Sequence, residues 1–222
     1  EYRRQRQMCI RDSLIIALLF SSLFSQGKIS LENVLDGTFR TESIGRYDWK
    51  NSSDSYYFSE RGDEGLEFYE YNLASNDTLK AFTVRKNIIS NFSYSFSPDQ
   101  KKLLLKKNSV KLWRHSSYGS YYVYDISSES LTPVTTDPDS LRNVKFSPDS
   151  NKLAFVRNDN NLYLFDLNNE LEEQLTFDGS EDILNGHFGW VYEEEFGTYD
   201  SYKWSPNSEY IAFIREDQTY VK

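Results

Sequence analysis

The chain has 222 residues, a formal net charge of −9, 38 % hydrophobic and 16 % aromatic content, with 17 Tyr and 15 Phe; that length suits one ordinary domain or part of a larger one. No basic cluster lies beyond the N-terminus, which argues against a nucleic-acid partner, because phosphate binding needs a concentrated cationic face. With a single cysteine (Cys9) and two histidines (His115 and His187), neither a disulfide nor a thiolate metal site can form, and no metal or cofactor is expected.

In chain order, residues 1–13 (EYRRQRQMCIRDS) read as translated adaptor sequence rather than a natural start. Residues 14–26 carry an apolar run, Leu14 to Phe24, behind four arginines and ahead of small or polar residues, the pattern of a signal-peptide core and cleavage region. The run falls short of the about 20 apolar residues that a membrane span needs. A secreted or periplasmic location is therefore expected, or membrane anchoring if the segment is retained.

Residues 27–222 show an internal repeat. Ser95-Phe96-Ser97-Pro98-Asp99 leads into Leu103-Leu104-Leu105, Lys145-Phe146-Ser147-Pro148-Asp149 into Leu153-Ala154-Phe155-Val156, and Lys203-Trp204-Ser205-Pro206-Asn207 into Ile211-Ala212-Phe213. The aromatic positions 96, 146 and 204 are 50 and 58 residues apart. In each copy Pro presets φ at the turn, and Asp or Asn accepts from the backbone two residues on, so the next strand starts in a defined register. Tyr121 to Asp125 and Asn161 to Asp166 read as further strands, and Tyr47 to Tyr71 as an earlier, degenerate copy. A repeat of this length with several short strands per unit predicts an all-β fold of β-propeller blades. About three blades and the start of a fourth are expected, and the last repeat breaks off at Lys222, so the ring is expected to be partial and the chain truncated.

The exception to the β pattern is Trp190-Val191-Tyr192-Glu193-Glu194-Glu195-Phe196. The Glu run favours helix over strand, which predicts a short helical insertion near 190–197 and accounts for the longer last interval. Taken by charge alone, Glu193-Glu194-Glu195 is a solvated acidic face, and Arg114 a surface side chain stacked on Trp113.

Trp190 to Glu195, its place one repeat after Trp113-Arg114-His115-Ser116, and the blade repeats resemble the dipeptidyl peptidase IV family. The likeness runs from about Lys28 to Lys222, and its most specific part lies within Asp182 to Phe196. It implies an eight-bladed propeller capping an α/β-hydrolase domain that is absent from this chain, and removal of N-terminal dipeptides with Pro or Ala second. By the same resemblance Glu194 and Glu195 hold the substrate's free α-amine, and Arg114 contacts the substrate backbone or carboxyl groups. The implied partners are peptides with a free N-terminus, the hydrolase domain in cis, and a homodimer of the full-length protein. Gly189 departs from the pattern, which often has an acid there, and puts the packing around the motif in question.

The implied chemistry is physically coherent. An exopeptidase must count from the chain end, whose distinguishing group is an α-ammonium of pKa about 7.7–8.0. Two carboxylates can share its three donors, and a nearby guanidinium offsets their mutual repulsion. No Gly-x-Ser-x-Gly elbow occurs, so no catalytic residue is assigned and the chain alone is expected to be silent. Two rivals share the blade repeats: a non-enzymatic periplasmic binding propeller, which has no need of the acid triplet, and a tripeptidyl peptidase, which keeps it.

Overall fold

The computed structural model describes residues 29–41, 45–135 and 137–221. The expectations for residues 1–13 and 14–26 lie outside the described residues. The described residues fall into two units, 29–41 and from Gly45 onward. In the first, helix α1 (Leu31–Leu35) begins at Ser30, whose hydroxyl caps the helix by accepting from the Asn33 N–H at 3.1 Å.

The second unit is a partial β-propeller of consecutive antiparallel sheets. The first blade holds β1 (Tyr47–Trp49), β2 (Ser55–Arg61), β3 (Gly65–Asn72) and β4 (Asp77–Arg85). The second holds β5 (Ser93–Phe96), β6 (Lys102–Lys111), β7 (Ser117–Asp125) and β8 (Ser130–Pro133). The third holds β9 (Arg142–Phe146), β10 (Lys152–Val156), β11 (Leu162–Asp166) and β12 (Leu171–Gln174). Each pairs in chain order, as a meander. Beyond them come β13 (Ile183–Asn185), α2 (Trp190–Phe196), β14 (Tyr202–Trp204), β15 (Ile211–Phe213) and β16 (Arg215–Asp217); β14 pairs with β15, and β13 reaches forward to β16. The sheets form no closed barrel among the described residues.

The period-2 geometry of a strand decides which blade each residue faces. Leu103, Leu105 and Tyr124 join Phe68, Val84 and Ile89 in one core between the first and second blades. The intervening Leu104, with Tyr121 and Val123, turns the other way and packs on Val144, Leu153, Phe155 and Phe165 of the third blade. Ala154, Val156 and Leu162 then meet Tyr202 beyond it. Central strands are thus buried on both faces, which is why β6 and β10 read as unbroken apolar runs rather than alternating ones. Each such Leu contributes about 1.5–3 kcal/mol by burial.

The Ser-Pro-Asp/Asn turns form as their residues predict. Asp99, Asp149 and Asn207 accept from the backbone N–H two residues on, at 3.1, 3.1 and 3.3 Å. Ser97, Ser147 and Ser205 each close the turn as well, accepting from the N–H five residues on at 2.9 Å. The turn also fastens adjacent blades. Its fourth residue has positive φ (Gln100, Ser150 and Ser208), and the Ser150 and Ser208 hydroxyls accept from Asp99 N and Asp149 N of the preceding blade at 3.0 Å. At the first interface Gln100 does the same job with a longer arm, accepting from Asn51 N at 2.8 Å.

Candidate functional site

Helix α2 stands between β13 and β14, where the sequence predicts an insertion. Gly189 caps its start in extended conformation, and its N–H donates to Glu216 Oε2 at 3.0 Å. A Cβ at position 189 would lie 2.1 Å from Gln218 Nε2. A side chain there would have to displace Gln218, and a carboxylate at the positive end of the helix comes instead from Glu216 on β16. That resolves the packing question raised by Gly189. At the other end Gly197 takes φ +64° and donates to Glu193 O at 3.1 Å.

Consecutive helical residues are rotated by about 100°, so three of them cannot share one face. Glu193 points inward and is 1 % exposed, whereas Glu194 and Glu195 are exposed. Its Oε1 accepts from Ser116 N at 2.8 Å and from His115 N. One buried carboxylate therefore ties α2 to the turn between β6 and β7 that carries Arg114. Burial opposes ionisation of Glu193, but hydrogen bonding from Ser116 and the His115 backbone outweighs it and holds the carboxyl below its ordinary value.

With the turn pinned, Arg114 Nε donates to Glu194 Oε2 at 2.8 Å. The Arg114 side chain is exposed, and its direction is set by this ion pair. Exposed pairs contribute about 0–1 kcal/mol to stability, so the pair matters mainly for where it holds the guanidinium. Glu195 has no hydrogen-bond or ion-pair partner among the described residues. The last turn of α2 carries no base. Carboxylates are unfavourable at that negative end of a helix, and a cation is welcome there.

Of the residues singled out from sequence, the structure brings Arg114 and Glu194 into contact and places Glu195 beside them on the same short helix. It adds three that sequence reasoning did not single out. Glu193 was read only as one of a triplet, though the helical rotation just described was a signal that one member must turn inward. Arg142 and His187 had no such signal. Arg142 is 7 % exposed, lies 5.0 Å over the Tyr118 ring, and donates from Nη2 to Asn160 Oδ1 at 2.5 Å and His187 Nε2 at 2.6 Å. Burial lowers its pKa, opposed by the charge of Glu193. His115 is exposed, with its ring stacked 6.5 Å from that of Tyr199. Among the described residues no His, Cys, Asp and Glu cluster could hold a metal ion, and no helix is long and apolar enough to cross a membrane.

Comparison with known proteins gives a consistent picture. Residues 97–222 match the family described as the dipeptidyl peptidase IV (DPP IV) N-terminal region. The chain is 41 % identical to dipeptidyl aminopeptidase B of Saccharomyces cerevisiae over 131 residues, covering 58 % of this chain and 16 % of that protein. It is 33 % identical to dipeptidyl peptidase 4 of Bos taurus over 208 residues, covering 90 % of this chain and 26 % of that protein. The crystal structure of Porphyromonas gingivalis dipeptidyl peptidase 4 superposes with a TM-score of 0.73 at 29 % identity, over 86 % of this chain and 28 % of that one. The chain spans about a quarter or less of the length of these relatives.

Proposed function

The chain belongs to the dipeptidyl peptidase IV family, and on that premise we propose that it is the substrate-selecting propeller portion of a secreted serine dipeptidyl peptidase. Its role is to hold the free N-terminus of a peptide while a hydrolase domain in cis, outside this chain, removes an Xaa-Pro or Xaa-Ala dipeptide. The reading is supported most by one observation: an Arg114–Glu194 pair fixed at 2.8 Å beside an unpartnered Glu195, on a helix end that carries no base.

In this scheme the α-ammonium of the substrate docks on Glu194 and Glu195, which between them accept its donors. Arg114 offsets the repulsion between the two carboxylates and offers its remaining N–H groups to the first peptide carbonyl. A fixed amine places the second peptide bond at a set distance, so cleavage after two residues follows from geometry. Glu193 takes no part in binding and holds the two halves of the anchor in register.

The test uses the full-length polypeptide containing this region. Ala-Pro coumarylamide should be cleaved and its N-acetyl form refused. Glu195→Gln should lower kcat/KM roughly 10- to 150-fold, the equivalent of one charged hydrogen bond worth about 1.5–3 kcal/mol. Equal turnover of free and acetylated substrate, or unchanged kinetics in the variant, would remove the anchor.

A further inference from the structure

A polar recess of about 230 Å³ opens beside the acid pair, lined by Lys106, His115, Tyr121, Lys145, Tyr199 and Asp200 among others. Its lining adjoins the anchor along the chain: His115 follows Arg114 in the pinned turn, and Tyr199, stacked on His115, and Asp200 follow the end of α2. We propose that this recess is a subsite for an acidic side chain on the first residue of the peptide, with its carboxylate held by the Lys106 ammonium. The inference rests on the amine-anchor reading, because the first side chain shares a Cα with the anchored amine and must fall nearby.

The charge balance of the recess points to an anion. Lys145 is already neutralised: its ammonium donates to both oxygens of Asp200 at 2.7 Å and to Tyr202 O at 2.7 Å. Lys106 has no such partner. Its ammonium donates to Ser117 Oγ at 2.5 Å and Ser117 O at 3.2 Å, and no carboxylate among the described residues lies within ion-pair distance. One of its three donors and a whole positive charge therefore remain for a ligand. Burial alone pushes the Lys106 pKa down, as expected of a half-buried ammonium without a counter-ion. The Tyr121 hydroxyl, whose pKa burial pushes far up, stays protonated and can donate as well.

The path of Lys106 is built into the blade. Its stem crosses Gly119 on β7, where a Cβ would lie 2.6 Å from Lys106 Cε. The volume is several times the about 30 Å³ share of a water and admits a Glu side chain. An acidic first residue would otherwise be repelled by Glu194 and Glu195, so a cation at this place changes which peptides are accepted.

The experiment compares Glu-Pro and Gln-Pro coumarylamides, nearly equal in shape, on the full-length protein. Glu-Pro should be favoured about tenfold in kcat/KM at low salt, less at high salt. Lys106→Met and Lys106→Gln should both abolish that preference, and unchanged turnover of Ala-Pro coumarylamide, whose methyl is too short to reach the ammonium, reports that each variant folds. Equal turnover of the two substrates by the unaltered protein, or a preference that survives both substitutions, would overturn the subsite. Acetylated Gln-Pro reads the anchor separately, since its cleavage would fault the amine reading and not the charge preference.

Discussion

Arginine can only donate hydrogen bonds, and this settles the protonation of the buried His187, in the segment before α2. Its Nε2 accepts from Arg142 at 2.6 Å, so the ring proton sits on Nδ1 and donates to Phe188 O at 3.2 Å. Burial, reinforced by the Arg142 charge, pushes the His187 pKa down to about 3. An unfolded histidine titrates near 6.5, so between those values the unfolded chain binds a proton that the folded one refuses. The His187 contribution is therefore full above pH 6.5 and declines as pH falls toward 3, by about 1.4 kcal/mol per pH unit. His187→Gln, which keeps an acceptor for Arg142, should flatten the drop in urea midpoint between pH 7 and 4.5; parallel curves for the two proteins would refute the assignment. Nothing in the sequence marked this residue, because its environment is assembled from β9, the β10–β11 turn and the segment before α2.

At the scale of the element, α2 shows how a local preference and its boundaries divide. Its existence was legible from a Glu-rich run that strands disfavour, and its ends come at Gly189 and Gly197. Gly197 sits at φ +64° with nothing within 4 Å of an added Cβ. Gly197→Ala should therefore carry a purely conformational cost of about 1–2 kcal/mol, visible as a lower Tm and faster amide exchange confined to α2. A neutral effect would mean that the helix end relaxes without using the left-handed cap. The inward turn of Glu193 was only half legible: rotation requires that one of three acids turn away, but which one depends on the β6–β7 turn packed against the helix.

For the whole propeller unit, the repeat fastens blades as well as forming them. Ser150 and Ser208 are buried and satisfy Asp99 N and Asp149 N across successive interfaces. Ser150→Ala and Ser208→Ala should each cost about 0.5–1.5 kcal/mol, the net worth of one hydrogen bond, because the N–H left behind belongs to an exposed turn residue, Asp99 or Asp149. Acting at different interfaces, the two losses should add to within about 0.5 kcal/mol in chemical denaturation. Stability unchanged in either variant would reduce the contact to incidental geometry.

The amino-acid sequence alone makes legible the repeating unit, the turn at its head and the helical interruption. Those depend on interactions a few residues long: Pro at a turn, Asp accepting two residues on, and acids that disfavour a strand. Its resemblance to a known family also singled out Glu194, Glu195 and Arg114 as a set. Folding in three dimensions is what sets Arg114 against Glu194, joins their two elements through Glu193, and pairs β13 with β16. It also decided which face of each central strand meets which neighbour, and where a lysine is left without a counter-charge. Such features join residues 30 to 80 positions apart, and their energies come from burial and desolvation, which exist only once the blades have stacked.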